Sequence, residues 1–246
     1  MGRNIYQEEF YSQRHQQTIY SAERILRLVL DILPPVNSAV DFGCGVGTWL
    51  AVLREMGVSR VRGLEGSWVN RDLLQIEEHE LLQVNFEQEI QLGDQYDLAI
   101  SLEVAEHLSP AAAKPFIRSL TAAADQVLFS AAIPQQGGTR HLNEHWPDYW
   151  VDLFDQQGFG VMDVIRWQVW EDGGVLPWYR QNTLLFVKRD RIARMKIPEN
   201  SFRSFSTAVK VVHPETYFNK IRHLSTIRSS IRNLYKGIVR KIQGIN

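Results

Sequence analysis

The sequence predicts an α/β fold in which helices alternate with the strands of a mostly parallel sheet. Short apolar runs of strand length alternate with helical patterns as far as Gly158. A glycine-rich segment, Gly43–Gly47, joins the first of these runs to a helix, which is the position of a nucleotide-type cofactor loop. Strand–helix–strand units of this kind are joined by right-handed crossovers, so we expect their strands to lie parallel.

The predicted elements follow one another in a regular order. The first is an amphipathic helix over Ser21–Leu33, where apolar residues recur at helical spacing and two prolines end the pattern. A helix that Gly57 closes follows the glycine-rich segment. The predicted strands are Ser38–Phe42, Val61–Leu64, Leu81–Val84, Leu98–Leu102 and Gln126–Ile133. The predicted helices between them are Thr48–Met56 and Pro110–Ala124.

The pattern changes after Gly158. Val161–Trp170 and Thr183–Lys188 have the composition of strands, and the turn residues Asp172-Gly173-Gly174 lie between them. We therefore expect these two segments to form an antiparallel pair at one edge of the sheet, with no helix between them.

The composition excludes several classes of protein. Of 246 residues, 44% are hydrophobic and 22% are charged, which is ordinary for a globular protein and excludes collagen, coiled coils and disordered chains. No apolar run approaches the roughly 18 residues that span a bilayer, and the polar N-terminal residues do not resemble a secretory signal. The single cysteine, Cys44, excludes an internal disulfide and a cysteine-based metal site. We expect a cytoplasmic protein.

The net charge of −1 conceals a division of the chain. Residues 1–188 carry 14 Lys and Arg against 25 Asp and Glu, a net charge of −11. Residues 189–246 carry 13 Lys and Arg against 3 Asp and Glu, a net charge of +10. We therefore divide the chain into a main domain, residues 1–190, and a basic extension, residues 191–246.

The basic extension has the pattern of an amphipathic helix. From Ile221 to Ile242 apolar residues recur every three or four positions, and Arg228, Arg232, Lys236 and Arg240 are each four apart. We favour an extension that packs on the acidic domain of its own chain or of a sister subunit. A helix of this kind can also bind an anionic membrane or nucleic acid.

Two acidic residues near the glycine-rich segment indicate the type of cofactor. Asp41 stands at the entrance to the segment, where its charge would repel a diphosphate and attract an ammonium group. Glu65 ends the next predicted strand, where a carboxylate can accept both hydroxyls of a ribose. Thr48 occupies the place of the third glycine of a dinucleotide loop. These features favour S-adenosylmethionine over NAD.

The segment Asp41–Gly47 resembles the first motif of the class I S-adenosylmethionine-dependent methyltransferases, and the resemblance extends over about residues 20–190. It implies a seven-stranded sheet whose last strand is antiparallel. It also implies that Asn85 and Phe86 contact the adenine and that Ser101 and Leu102 line the cofactor. The predicted cofactor site also includes Asp41, Gly43, Gly45, Gly47, Glu65 and Glu103.

Acids and a histidine follow the fourth predicted strand. If a helix begins near Glu103, then Glu103, Glu106 and His107 share one of its faces. Carboxylates and imidazole suit Mg, Mn, Fe or Zn. The loop Gly137–Trp146 follows the fifth strand, so we expect it to lie over the same end of the sheet and to supply a fourth ligand.

This segment resembles the Glu-x-x-Glu-His motif of methyltransferases that make ubiquinone precursors or act on the 3′ ends of small RNAs. The resemblance implies that Glu103, Glu106, His107 and His141 bind a divalent cation, with His145 as the alternative to His141. Without a metal, Glu103 would line the cofactor pocket, and His107, His141 or His145 would act as a general base.

The predicted function is methyl transfer to oxygen. A hydroxyl needs a base or a metal to become a good nucleophile, and both are present among the candidate residues. Segments such as Leu128–Pro134 and Trp178–Asn182 resemble a bacterial subgroup that accompanies polysaccharide and secondary-metabolite genes, which implies a sugar or another small hydroxylated acceptor. The alternatives are an RNA 2′-O-methyltransferase and a non-catalytic protein that binds S-adenosylmethionine.

Overall fold

The computed structural model describes residues 4–194, 210–225 and 230–235. Its strands are β1 (Ser38–Phe42), β2 (Arg60–Glu65), β3 (Leu81–Gln83), β4 (Leu98–Leu102), β5 (Gln126–Ser130), β6 (Phe159–Met162) and β7 (Leu184–Lys188). Its α-helices are α1 (Asn4–Ile32), α2 (Thr48–Glu55), α3 (Ala113–Ala123), α4 (Pro147–Asp155), α5 (Arg166–Val169), α6 (Pro177–Asn182) and α7 (Pro214–Ser225).

The strands form one seven-stranded sheet in the order β3-β2-β1-β4-β5-β7-β6. The strands from β1 to β5 pair in parallel, and β7 pairs antiparallel with both β5 and β6. The antiparallel pairing therefore lies at one edge of the sheet, where the sequence predicts it. The α/β fold class is confirmed.

Each face of the sheet is covered by its own helices. On one face, Leu128 of β5 belongs to the core that α1 and α2 complete through residues such as Leu26 and Leu50. On the other face, its neighbours Val127 and Phe129 belong to the core that contains Phe116 of α3 and Trp150 of α4. Strands buried on both faces are nearly all apolar, which explains why they appear in the sequence as continuous runs. Because β1, β2, β4 and β5 are adjacent and parallel in this order, their carboxyl ends lie side by side at the same end of the sheet.

The predicted antiparallel pair within residues 161–188 is confirmed, but its first strand is shorter than predicted and the expected absence of a helix between the strands is wrong. The strand β6 ends at Met162, and the helices α5 and α6 lie between β6 and β7. At the start of α5, the buried Arg166 Nε donates to Asp163 Oδ1 at 2.7 Å, and Pro177 occupies the first turn of α6. A short apolar run does not distinguish a buried strand from a buried helix, which is the reason for the error.

Three other boundaries differ from the predictions by more than one residue. The strand β5 ends at Ser130 instead of Ile133, and a 3₁₀ turn at Pro110–Ala112 precedes α3. The helix α1 begins at Asn4 instead of Ser21. The prediction began too late because residues 4–20 lack the apolar stripe that marks the later turns.

The chain divides into two compact units, residues 1–211 and 212–246. Within the second, α7 has Pro214 in its first turn, and residues 230–235 are also helical. Side chains of Tyr217 and Phe218 are exposed. Ile227, Arg228, Lys236, Ile238, Arg240 and Ile242 of the predicted stripe and basic ridge lie outside the described residues. The docking of the basic extension stays a prediction.

No helix in the described ranges is both long enough and apolar enough to cross a membrane.

Candidate functional site

The glycine-rich segment forms a tight loop between β1 and α2. Gly43, Gly45 and Gly47 all have positive φ angles, of 88°, 55° and 87°. A Cβ atom on Gly43 would lie 2.4 Å from Cγ2 of Val104, so this position also lacks room for a side chain. Backbone N–H groups of Gly43 and Cys44 donate to the carbonyl of Leu64 in β2. The loop is therefore anchored to the neighbouring strand at the carboxyl end of the sheet.

Two buried carboxylates flank this loop. Asp41 is 2% exposed and Glu65 is 7% exposed. Glu65 accepts hydrogen bonds from the backbone N–H groups of Gly45 and Gly66, at 2.8 and 2.7 Å. Burial, and then the charge of Glu65, raise the pKa of Asp41 well above its ordinary value. Burial also raises the pKa of Glu65, against the effect of its two backbone hydrogen bonds. This pair of like charges is well suited to a cationic ligand.

The other residues that the resemblance assigns to the cofactor occupy different environments. Ser101 and Leu102 end β4 and are buried, and Ser101 Oγ has no hydrogen-bond partner among the described residues. Asn85 is exposed, just after β3, and its Oδ1 accepts from the backbone N–H of Glu87. Phe86 is 3% exposed and packs edge-on against Phe116, so its ring belongs to the core.

The helix expected from Glu103 is not present. Glu103 has a left-handed backbone, with φ of 56°, and only a 3₁₀ turn, Ala105–His107, follows it. The carboxylate of Glu103 instead accepts from Asn182 Nδ2 and Gln136 Nε2, both at 3.0 Å. The prediction that a helix places Glu103, Glu106 and His107 on one face is therefore wrong.

Three of the predicted metal or catalytic residues do come together. Ligand atoms of Glu106, His107 and His141 all lie within 4.8 Å of one another, and we call these residues the acid–histidine cluster. The rings of His107 and His141 meet edge to face, 4.8 Å apart. Glu103 is not in the cluster. Backbone hydrogen bonds link the segment of Glu106 and His107 to the loop of His141, since the N–H groups of Leu142 and Asn143 donate to the Glu106 carbonyl at 2.8 and 3.0 Å.

The carboxylate of Glu106 is buried, and the nearby Glu103 is a group of like charge. The residue is 0% exposed, and neither carboxylate oxygen has a hydrogen bond of normal geometry among the described residues. Burial, and then the charge of Glu103, raise the pKa of Glu106 to about 9. Burial, and then the charge of His141, lower the pKa of His107, against the opposing effect of the backbone at Arg140 and Thr139. A buried, unpartnered carboxylate beside two imidazoles has the donor set of a divalent cation site.

His145 lies apart from the acid–histidine cluster. Its ring stacks on Tyr149 at a centroid distance of 3.8 Å and meets Trp150 edge to face. Burial lowers its pKa, against the opposing effect of the charge of Asp148. Trp150 is 2% exposed and belongs to the core.

Sequence reasoning missed three polar residues of the site. Gln136 and Asn182 hold Glu103, and Glu144 Oε1 lies 2.8 Å from Nδ1 of His141. The sequence does indicate Glu144, because an acid three positions after the candidate His141 in the same loop is close enough to contact it. Asn182 lies at the end of α6, in the stretch for which the sequence predicts no helix, so no local pattern connects it with Glu103.

Comparisons with known proteins agree with this architecture. DesVI of Streptomyces venezuelae has 15% identity and a TM-score of 0.58, over 76% of this chain and 98% of its own. Magnesium protoporphyrin IX methyltransferase from Synechocystis PCC 6803, solved with bound SAM, has 22% identity and a TM-score of 0.51, over 76% of this chain and 86% of its own. An O-methyltransferase family protein from Burkholderia thailandensis has 15% identity and a TM-score of 0.51, over 71% of this chain and 55% of its own.

At these identities the similarity shows the fold alone. A search of the curated proteins found no match. The family model described as a methyltransferase domain matches residues 12–165, which is more than half of the chain and includes the glycine loop and the acid–histidine cluster. The chain therefore belongs to this methyltransferase-domain family.

Proposed function

We propose that this chain transfers a methyl group from S-adenosylmethionine to a hydroxyl oxygen of a sugar or another small hydroxylated acceptor. The observation that carries the proposal is the proximity of Glu106, His107 and His141 at the carboxyl end of the sheet, the end at which the glycine loop also lies. In open α/β sheets ligands bind at this end. The arrangement supplies a donor site and an acid–base or metal site in one crevice.

The residues around the glycine loop fit S-adenosylmethionine. The cofactor carries an ammonium and a sulfonium group, and the buried carboxylates of Asp41 and Glu65 lie beside the loop. Each oxygen of Glu65 accepts one backbone N–H and keeps a second lone pair with which to accept a ribose hydroxyl. Asp41 would hold the ammonium group by charge. A diphosphate would meet two buried negative charges in the same place, which disfavours a dinucleotide.

The acid–histidine cluster would activate the acceptor. A bound divalent cation would lower the pKa of an acceptor hydroxyl, and Glu106, His107 and His141 would hold that cation. Glu106 fits this role because both of its oxygens are buried and unpartnered. Without a cation, the neutral imidazole of His107 or His141 would take the hydroxyl proton. His145 is less suited to either role, because its ring is packed against Tyr149.

The reaction is an in-line displacement. The acceptor oxygen attacks the methyl carbon, the carbon–sulfur bond breaks, and the sulfur keeps the electron pair of that bond. The hydroxyl proton goes to a base. The chain must align the oxygen, the methyl group and the sulfur, because orientation supplies much of the rate in such a step.

Incorporation of labelled methyl groups tests the proposal. The full chain is incubated with methyl-labelled S-adenosylmethionine and one acceptor class at a time: sugars, polyols, oligosaccharides and RNA. We expect label in an alkali-stable ether on a sugar or polyol, and we expect Glu106→Gln to lose it. Label only on a carboxylate or an amine would reject O-methylation of a hydroxyl.

RNA is the second candidate acceptor, because residues 189–246 have a net charge of +10. Label on RNA 2′-oxygens, with none on sugars or polyols, would favour it over the first. S-adenosylhomocysteine binding without transfer to any acceptor class would favour a non-catalytic role.

A further inference from the structure

Both oxygens of Glu144 make contacts within the loop. Its Oε2 accepts the backbone N–H of Gln135 at 2.7 Å, and its Oε1 accepts the backbone N–H of Gly137 at 3.3 Å. Its Oε1 also lies 2.8 Å from Nδ1 of His141. Backbone N–H groups can only donate, so both oxygens of Glu144 act as acceptors in these two contacts.

These contacts favour one tautomer of His141. Because both oxygens of Glu144 already accept backbone hydrogen bonds, the arrangement favours a hydrogen on Nδ1 of His141, donated to Oε1 of Glu144. In a neutral imidazole that donates from Nδ1, the Nε2 atom keeps its lone pair. A metal ligand and a general base both need this lone pair.

The absence of a side chain at Gly138 makes room for the ring. A Cβ atom on Gly138 would lie 2.1 Å from Nε2 of His141, so the imidazole occupies the space that a side chain there would need. His141 is 12% exposed in its side chain and Glu144 is 21% exposed, so the pair is partly shielded from water. The ring is thus held on one side by Gly138 and at Nδ1 by Glu144.

We propose that Glu144 is a positioning residue that fixes His141 as the Nδ1–H tautomer and directs the Nε2 lone pair to the acid–histidine cluster. The inference rests on the proposed function for its purpose, and it holds whether His141 binds a cation or takes a proton. Carboxylates that accept from the outer nitrogen of a histidine commonly orient metal ligands and catalytic bases in this way.

Nuclear magnetic resonance of the ¹⁵N-histidine-labelled full chain tests the tautomer directly. Two-bond ¹H–¹⁵N correlations distinguish a protonated Nδ1 from a protonated Nε2, and the signals of His141 are assigned by their absence in His141→Gln. We expect the Nδ1–H pattern in the unsubstituted chain. We expect Glu144→Ala to change it to a mixture of tautomers and Glu144→Asp to restore part of it.

A matched control is Glu87→Ala. Glu87 is another carboxylate that accepts a backbone N–H, that of Ser109 at 2.9 Å, but it does not belong to the cluster. We expect it to leave the His141 signals unchanged. An Nε2–H pattern in the unsubstituted chain, or a pattern that Glu144→Ala does not alter, would overturn the proposal.

Binding of Mn²⁺ alone, followed by calorimetry, gives a second measurement. If the cluster binds the ion, we expect Glu144→Ala to weaken its affinity by about 10–100-fold, as for other residues that orient metal ligands. Equal affinities in the two proteins would overturn the orienting role. Neither measurement needs a cofactor or an acceptor, so a failure of the proposed methyl transfer would show in the incorporation assay and leave the tautomer result intact.

Discussion

The carboxylate of Glu65 accepts a hydrogen bond from the backbone N–H of Gly45 at 2.8 Å. Glu65 ends β2, and Gly45 lies in the loop after β1, so the acid helps to hold the loop that faces it. Its second oxygen accepts the N–H of Gly66. One buried side chain therefore combines a structural contact with lone pairs that are free to bind a ligand.

We expect Glu65→Ala to weaken the binding of S-adenosylhomocysteine by about 1–3 kcal/mol, because hydrogen bonds to a ribose are lost. Isothermal titration calorimetry measures the effect. Glu89→Ala is the control, since Glu89 pairs with Arg118 on the surface. NAD should not bind either protein. Unchanged affinity for S-adenosylhomocysteine, or tight binding of NAD, would contradict the assignment of this site.

The raised pKa of Asp41 predicts that binding of S-adenosylmethionine depends on pH. Burial and the charge of Glu65 keep a proton on Asp41 at pH values above its ordinary pKa of 3.8. A cationic ligand favours the ionised carboxylate, so binding releases a proton and affinity falls as the pH decreases through the raised pKa. Titrations in two buffers of different ionisation enthalpy count the protons. Asp41→Asn should bind more weakly and with a smaller pH dependence; an identical pH dependence would reject the role of Asp41.

The sequence was sufficient for the site residues that follow strands. The ends of β1, β2 and β4 were predicted within one residue, so Asp41, Glu65 and Ser101 could be placed at one edge of the sheet. The environment of Glu103 could not be predicted. Its left-handed backbone and its contacts with Gln136 and Asn182 depend on the packing of segments far apart in the chain, and no local propensity indicates them.

The sequence predicts that Glu106 and His107 lie near His141, and the three are close together, but the reason given for it, a helix from Glu103, is not found. The predicted helix would have aligned Glu103 with the other two residues of its segment. In the structure, the segment of Glu106 and His107 is linked to the later loop through the Glu106 carbonyl, which accepts from the backbone N–H groups of Leu142 and Asn143. Contacts of this kind become visible only when the chain is folded.

Gly43→Ala should destabilise the protein more than Gly57→Ala does. Both glycines have positive φ angles, of 88° and 98°, so an alanine is strained at either one. Only at Gly43 would the new Cβ meet another side chain, that of Val104, whereas nothing lies within 4 Å at Gly57. Urea unfolding measures the difference, which we expect to be about 1–3 kcal/mol. Val104→Ala in the Gly43→Ala background should recover part of it; no recovery would argue against the steric cause.

Removal of divalent cations distinguishes the two roles proposed for the acid–histidine cluster. Both oxygens of Glu106 are buried without partners, and burial raises its pKa to about 9, so the site gains much from a cation that pairs with this carboxylate. We therefore expect EDTA to abolish methyl transfer and to leave the affinity for S-adenosylhomocysteine nearly unchanged, because the cluster would hold the acceptor.

Mn²⁺ added back should restore the activity of the unsubstituted chain but not that of Glu106→Gln, which has the same shape without the negative charge. Full activity in EDTA would reject the metal and leave a histidine as the base. In that case His107→Gln or His141→Gln should lower the rate by about 10²–10⁴-fold, the usual contribution of a general base, while His145→Gln should lower it much less, because its ring packs on Tyr149 outside the cluster.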